Sequence, residues 1–216
     1  MSNELTTTEA TTTQEPQKNV INYNPIFPIM MAEVLIDLPI DEMVEDVLKL
    51  PDVNTDNYPG GYTTYSNHLN IDHIRGVKEL KEAIYGITCA YGRELKYEAN
   101  YEKCSIQLWL NVMRRGGHHG YHAHQRAVFA GTFYARVDDK MSPIILYNPT
   151  MPFRSKDPDV RPQDRTAFTS ETMEIIPKNN TLIMWPAWLS HMVPKMVESG
   201  PRISFSFSVD YLPLGV

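Results

Sequence analysis

The sequence has few cysteines, no long apolar run and no signal-peptide pattern in its first 20 residues. Its 216 residues contain two cysteines, Cys89 and Cys104, with no CxxC motif, so disulfide stapling is not indicated and a reducing compartment suits both thiols. No segment approaches the ~20 apolar residues of a membrane-spanning helix, and the first 20 residues lack the charged-then-apolar pattern of a signal peptide. We therefore expect a soluble, cytoplasmic protein.

Basic residues are also in short supply. Twenty Lys and Arg stand against 26 Asp and Glu, which gives a formal net charge of −6. Broad affinity for a phosphate backbone needs clustered basic side chains, so bulk binding of nucleic acid is not expected. The 42% of hydrophobic residues fits one globular domain with a sizeable core. Residues 1–18 are Thr-rich and predict a disordered tail, and 19–216 predict a single domain.

The first part of that domain, about 30–98, shows helical patterns. A strand is expected over 32–38, and residues 51–72, with Pro59-Gly60-Gly61, are expected to be loop. Apolar residues at three- and four-residue spacing predict two helices. They are Ile40, Met43, Val44, Val47 and Leu48, preceded by Pro39 at a first-turn position, and Ile74, Val77, Leu80, Ile84, Ile87 and Tyr91.

After Lys96 the pattern changes to the two-residue period of strands. Strands are predicted over 105–113, 127–137, 143–147, 171–176, 181–185 and 202–211. Helices followed by many short strands indicate an α+β protein whose core, about 100–212, is a sandwich or closed jelly roll. In the last strand Ile203 and Phe205 lie on an apolar face that the N-terminal helices can cover, while Arg202 and Ser204 lie on a polar face that can line a ligand site.

The histidines carry the main functional signal. Imidazoles two residues apart on an extended strand point to the same side, so His122 and His124 can bind one metal ion. His191 is the one histidine C-terminal to this pair, and a remote strand can bring it alongside. Iron(II) in oxygenases is held by three such groups on one face of an octahedron. His118 and His119 are adjacent, point apart, and are expected in a loop at the mouth of the site.

Arg202 and Ser204 add an anion pocket to this arrangement. A histidine pair on a strand is by itself more often a surface feature, but an arginine fork binds a carboxylate bidentately and a serine adds a further bond. Together the residues suit a non-haem iron enzyme that uses 2-oxoglutarate. Asn111 and Tyr134, on faces of neighbouring strands, can also bond the cosubstrate, although an ordinary polar strand residue and a half-buried aromatic explain them equally well.

A set of motifs over roughly residues 100–212 resembles the 2-oxoglutarate and iron(II)-dependent oxygenases of bacteria and phages. The matching segments are Trp109 to Val112, Gly117, His122 to His124, Ala130 to Tyr134, Asn148-Pro149, Trp185 to His191 and Pro201 to Phe207. The resemblance implies a double-stranded β-helix (cupin-like jelly roll) with the N-terminal helices on one sheet, iron at the histidines and 2-oxoglutarate as cosubstrate. Arg202 matches the arginine that holds the far carboxylate, and Ser204 its partner.

The expected activity is therefore that of a dioxygenase that couples oxidative decarboxylation of 2-oxoglutarate, with dioxygen, to hydroxylation of an unidentified substrate. One departure matters, because the wider superfamily has Asp or Glu where this chain has His124. Three interpretations follow: an all-histidine iron site, which we favour, a two-histidine site with His124 outside the metal ligands, or a site without oxygenase chemistry. A cupin-like metal protein and a structural jelly-roll domain are the alternative classes.

Overall fold

The computed structural model describes residues 22–66, 69–100, 103–138, 140–197 and 200–211. These residues form two α-helices, ten strands and two short 3-10 turns, at Met151–Phe153 and Pro162–Asp164. In chain order the helices and strands are β1 Ala32–Leu35, α1 Ile40–Leu48, β2 Gly61–Thr63, α2 Val77–Glu94, β3 Cys104–Met113, β4 His119–His122, β5 Phe129–Arg136, β6 Ile144–Tyr147, β7 Thr172–Ile175, β8 Thr181–Pro186, β9 His191–Val193 and β10 Arg202–Tyr211.

Both predicted helices are confirmed. α1 starts directly after Pro39 and has Asp41 and Glu42 in its first turn. Their negative charges interact favourably with the positive N-terminal end of the helix dipole. α2 starts after Gly76, three residues later than the apolar pattern suggested. Arg75, just before α2, donates from its backbone N and its Nε to Asp46 of α1, at 3.0 and 2.9 Å, which ties the two helices together. The hydrogen bonds from Arg75 lower the pKa of Asp46 to about 2.

The strands form two antiparallel sheets. One has six strands in the order β1-β8-β5-β10-β3-β2, and the other has four in the order β4-β9-β6-β7. β3 and β10 pair over ten residues, from Arg202 opposite Met113 to Tyr211 opposite Cys104. β1 and β2 are the two edge strands of the larger sheet, so the four strands between them have a neighbour on both sides.

Each face of the larger sheet meets a different layer. Its outer face carries Phe205 and Phe207, which belong to one buried cluster with helix residues such as Val47, Leu80 and Ile84. The predicted cover of the apolar face of β10 by the N-terminal helices is therefore confirmed. The inner face looks toward the smaller sheet across a second buried cluster. That cluster includes Met113, Tyr134, Ile144, Trp185 and Val193.

Several expectations need correction. Residues 51–72 are not all loop, because Gly61–Thr63 forms β2 on the edge of β3. The short strands β4 and β9 were not predicted as such, and β1 ends at Leu35 rather than at residue 38. The predicted disordered tail, 1–18, lies outside the described residues.

Neither described helix has the length and apolar character needed to span a lipid bilayer.

Candidate metal and anion site

A cavity of about 560 Å³ opens between the two sheets. Strands β3, β5, β8 and β10 of the larger sheet form its floor, and β4, β6 and β9 of the smaller sheet form its opposite wall. Five histidines line it, together with Arg202, Tyr134 and several hydroxyl-bearing side chains. Within the described part of the chain no Asp or Glu contributes to the lining. The cavity is therefore rich in hydrogen-bond donors and imidazoles and has no negative side chain.

Three of those histidines converge. His122 ends β4 and lies opposite His191, the first residue of β9. His124 follows just beyond β4, where its backbone N donates to the carbonyl of Ala187 at 2.9 Å. The ring centroids are 4.3 Å apart for His122 and His191, 5.1 Å for His122 and His124, and 5.2 Å for His124 and His191. One ligand atom from each lies within 4.8 Å of the others, a spacing that can hold a metal ion.

Backbone carbonyls orient two of the three rings. His122 Nδ1 lies 2.7 Å from the carbonyl of Gly120, and His191 Nδ1 lies 2.9 Å from that of Leu189. When Nδ1–H donates to a carbonyl, the lone pair is on Nε2, the arrangement found in metal-binding histidines. Burial lowers the pKa of His191 to about 3 and that of His124 to about 4. These imidazoles are neutral near pH 7, as a metal ligand must be.

The other two histidines differ from each other. His118 lies in the loop before β4, as expected, with Nδ1 3.5 Å from the carbonyl of Gly116. His119 instead begins β4, and its ring lies 5.3 Å from that of Tyr58 and 6.5 Å from that of His122. The loop prediction is wrong for His119, because β4 starts where His119 pairs with Val193. The pairing of β4 with β9 shifts register between His119 and His122, so two residues three apart both line the cavity.

Arg202 is a buried cationic residue in the cavity lining. Its side chain is buried, with 3% of the residue exposed, and its guanidinium carbon lies 5.0 Å from the ring centroid of Tyr134. Nη1 donates to Ser204 Oγ at 3.3 Å. Among the described residues no carboxylate pairs with Arg202, and neither its Nε nor the Oη of Tyr134 has a hydrogen-bond partner. Buried donors of this kind require an acceptor, so this end of the cavity fits an anion.

Tyr134 is held in the protonated form that such a site needs. Burial raises the pKa of its hydroxyl, although the positive charge of Arg202 opposes that effect. The hydroxyl is therefore a donor near neutral pH.

Asn111 holds the floor together. Its Oδ1 accepts from Thr63 Oγ1 at 2.8 Å and its Nδ2 donates to Ser206 Oγ at 2.9 Å. Ser206 Oγ in turn donates to Thr132 Oγ1 at 3.4 Å. The four residues join β2, β3, β10 and β5 below the cavity. Asn111 thus lines the site as predicted, but its carbonyl oxygen is already used by the protein, and its binding to a cosubstrate stays a prediction.

The aromatic residues around the histidines have distinct positions. Trp185 is buried and its ring centroid lies 5.0 Å from that of His191, whereas Trp188 is exposed. The ring centroid of Trp109 lies 5.8 Å from that of His124 and 5.0 Å from that of Tyr65. Tyr65 covers Trp109 on the solvent side and is itself 51% exposed. Trp185 therefore packs in the core beside the cavity, and Trp188 is a surface residue.

No sequence pattern singled out Tyr58 as a residue of the site. This residue precedes Pro59-Gly60-Gly61 and lines the cavity, and its hydroxyl is buried without a partner in the described structure. A possible signal was the second glycine pair, Gly116-Gly117. A Cβ on Gly60 would lie 2.1 Å from the backbone N of Gly117, so the two glycine segments pack backbone against backbone.

Part of the chain matches the sequence model of a known protein family. Residues 107–208, from β3 to β10, match the sequence model of a family described as "Putative 2OG-Fe(II) oxygenase". No curated protein matches the chain.

Solved structures share the fold. A prolyl-4-hydroxylase from Pseudomonas putida is 9% identical and aligns over 86% of this chain and 94% of its own, with a TM-score of 0.58. AviO1 from Streptomyces viridochromogenes Tue57 is 10% identical and aligns over 87% and 92%, with a TM-score of 0.59. A 2OG-Fe(II) oxygenase family oxidoreductase from Burkholderia pseudomallei, 14% identical, aligns over 56% of this chain and only 50% of that chain, with a TM-score of 0.39. At these identities the first two likenesses concern the fold alone.

Proposed function

We propose, on the premise that residues 107–208 belong to the 2OG-Fe(II) oxygenase family, that the protein is an iron(II) dioxygenase that hydroxylates its substrate at the expense of 2-oxoglutarate. In this proposal His122, His124 and His191 bind the iron, and Arg202 with Ser204 and Tyr134 binds the far carboxylate of 2-oxoglutarate. The two facing antiparallel sheets would then form the double-stranded β-helix expected from the sequence.

A single observation carries the proposal: three convergent imidazoles share one cavity with a buried arginine that has no counter-ion among the described residues. A structural metal site accounts for the imidazoles but leaves the arginine unexplained, because burying an unpaired charge is costly. A packing role for the histidines explains neither the convergence of their ligand atoms within 4.8 Å nor the orphaned donors. A metal beside a dicarboxylate explains both.

Iron held by the three histidines and 2-oxoglutarate held by Arg202 and Ser204 would supply the oxidation, in which decarboxylation of the cosubstrate to succinate and carbon dioxide would take up one oxygen atom of dioxygen and the substrate would take up the other. The chain supplies the arrangement. Arg202 and Ser204 fix the cosubstrate at its far end, and the carbonyls of Gly120 and Leu189 aim two imidazoles.

His124 gives the site an unusual charge. With imidazole in place of a carboxylate, and with no Asp or Glu among the described lining residues, the protein contributes no negative charge to the iron. The site is then more positive by one than a site with a carboxylate ligand, which strengthens its attraction for the 2-oxoglutarate dianion. This supports the all-histidine interpretation, in which anionic ligands come from outside the protein.

The test is spectroscopic. Under anaerobic conditions, addition of iron(II) and then 2-oxoglutarate should produce a visible metal-to-ligand charge-transfer band, since the 2-oxo acid chelates the metal. Full iron binding with no such band would refute the use of 2-oxoglutarate and favour a cupin-like metal protein.

The ligand assignment has its own test. His191→Ala should lose iron, measured by metal analysis after desalting, whereas His118→Ala, on the loop before β4, should keep it. Iron content that is unchanged in His191→Ala would move the third ligand elsewhere. A screen for succinate release against compound pools would then identify the substrate.

A further inference from the structure

Tyr58 reaches the cavity from a part of the chain that the family match leaves out. It lies 49 residues before the first matched residue, 107, yet lines the same cavity as Arg202 and Ser204. Its ring contacts that of His119, with centroids 5.3 Å apart at an interplanar angle of 40°. The N-terminal segment therefore contributes polar side chains, Tyr58 among them, to a site built mainly by the matched strands.

The backbone around Tyr58 is fixed. Tyr58 O accepts from Gly61 N at 3.1 Å, and Gly60 O accepts from Arg114 N at 2.8 Å. Gly60 has a φ of +68°, and a Cβ there would collide with Gly117. The segment that carries Tyr58 is thus pinned against the end of β3, directly beside the point where β10 begins with Arg202.

The hydroxyl of Tyr58 is an unsatisfied hydrogen-bond donor. It is buried and has no partner among the described residues. Burial raises its pKa, so it stays protonated near neutral pH, and the positive charges of Arg202 and Arg114 are near enough to act against that rise. An acceptor placed between Tyr58 and Arg202 would satisfy both.

A carboxylate can fill that place. Its two oxygens offer about four acceptor positions. Three donors are already accounted for: Arg202 Nε, Tyr134 Oη, and Ser204 Oγ, whose own proton remains available after it accepts from Arg202. Tyr58 Oη is a fourth, and the other unpartnered donor of the described cavity lining, Trp185 Nε1, belongs to a ring that lies 5.0 Å from that of His191.

We propose that Tyr58 is a specificity-determining residue that donates the fourth hydrogen bond to the far carboxylate of 2-oxoglutarate. This inference rests on the proposed function. It assigns to the N-terminal segment a direct part in distinguishing a dicarboxylic 2-oxo acid from a monocarboxylic one.

The experiment compares two ligands and two variants. Tyr58→Phe removes only the hydroxyl and keeps the ring against His119. Tyr65→Phe is the matched control, because Tyr65 is on the same N-terminal segment but its ring lies over Trp109. Calorimetric titration of the anaerobic iron(II) protein gives dissociation constants for 2-oxoglutarate and for 2-oxopentanoate, which has the same chain length and lacks the far carboxylate.

We expect Tyr58→Phe to weaken 2-oxoglutarate about 10- to 100-fold, the effect of one lost hydrogen bond to a charged group, and to leave 2-oxopentanoate unchanged. Tyr65→Phe should change neither. Equal weakening of both ligands, or no change for 2-oxoglutarate, would overturn the inference while leaving the proposed function in place. If the unaltered protein itself binds no 2-oxoglutarate, the proposed function fails instead.

Discussion

Arg202 should reduce the stability of the ligand-free protein while it sustains ligand affinity. The side chain is 97% buried, has no carboxylate partner in the described residues, and leaves Nε without an acceptor. Arg202→Met keeps an unbranched chain beside Tyr134 and removes the guanidinium. One substitution should therefore move stability and affinity in opposite directions.

The structure sets the size of both effects. A buried unsatisfied donor costs about 1–3 kcal/mol, and the contact of the guanidinium with the Tyr134 ring returns about 1 kcal/mol. Arg202→Met should therefore raise the unfolding free energy of the ligand-free protein by up to about 2 kcal/mol. For a chain of this size that corresponds to a rise in melting temperature of up to roughly 8 °C. Truncating one partner of a buried charged pair costs about 2–5 kcal/mol, so 2-oxoglutarate should bind roughly 30-fold to several thousand-fold more weakly.

Two measurements check this prediction. Thermal unfolding without metal or ligand gives the stability change, and anaerobic titration of the iron(II) protein gives the affinity. Arg202→Lys is the control, since it keeps a buried charge without the fork and should gain no stability. If Arg202→Met lowers the melting temperature, Arg202 has a structural role; if it loses iron while 2-oxoglutarate affinity is unchanged, the assigned roles are wrong.

Two further predictions concern pH and backbone packing. Burial lowers the pKa of His191 to about 3 and those of His119 and His124 to about 4, from 6.5, so between about pH 6.5 and 4 the unfolded chain binds protons that the folded chain does not. Denaturant unfolding of the metal-free protein should therefore show that the free energy of unfolding falls as pH falls through that window. A flat profile would contradict the burial of these rings. Gly60→Ala should destabilise the protein by more than about 2 kcal/mol, because the new Cβ would collide with backbone and φ is positive. Gly86→Ala, at an open site in α2, should instead stabilise it by about 0.5–1 kcal/mol. Equal melting temperatures for the two variants would refute the close packing of Gly60 against Gly117.

Much of the site followed from the sequence because its signals are periodic. The alternation in β10 correctly placed Arg202 and Ser204 on the cavity side and Phe205 on the helix side. Histidines two apart, with a third on a distant strand, predicted a cluster that the structure brings together. Whether these residues bind metal and cosubstrate stays a prediction, as do the single-domain organisation, the cytoplasmic location and the absence of bulk nucleic-acid binding.

The remainder depends on irregular or long-range features. His119 enters the cavity because the pairing of β4 with β9 shifts register, and no local period encodes such a shift. β2 has only three residues, too few for an alternation to stand out. Tyr58 meets His119 across 61 positions of the chain through a contact between glycine backbones, and a single sequence does not show which two glycines will touch.

The edge strands β1 and β2 make the folding unit larger than the region of family similarity. The match covers 107–208, but β1 pairs with β8 and β2 with β3, and the helices cover Phe205 and Phe207. A fragment cut at the limits of the match would present two unpaired strands and a bare apolar sheet face to solvent, the features that promote aggregation. Recombinant expression or domain exchange should therefore retain the chain from about residue 30 onward, and fusion boundaries chosen from family similarity alone should yield insoluble protein.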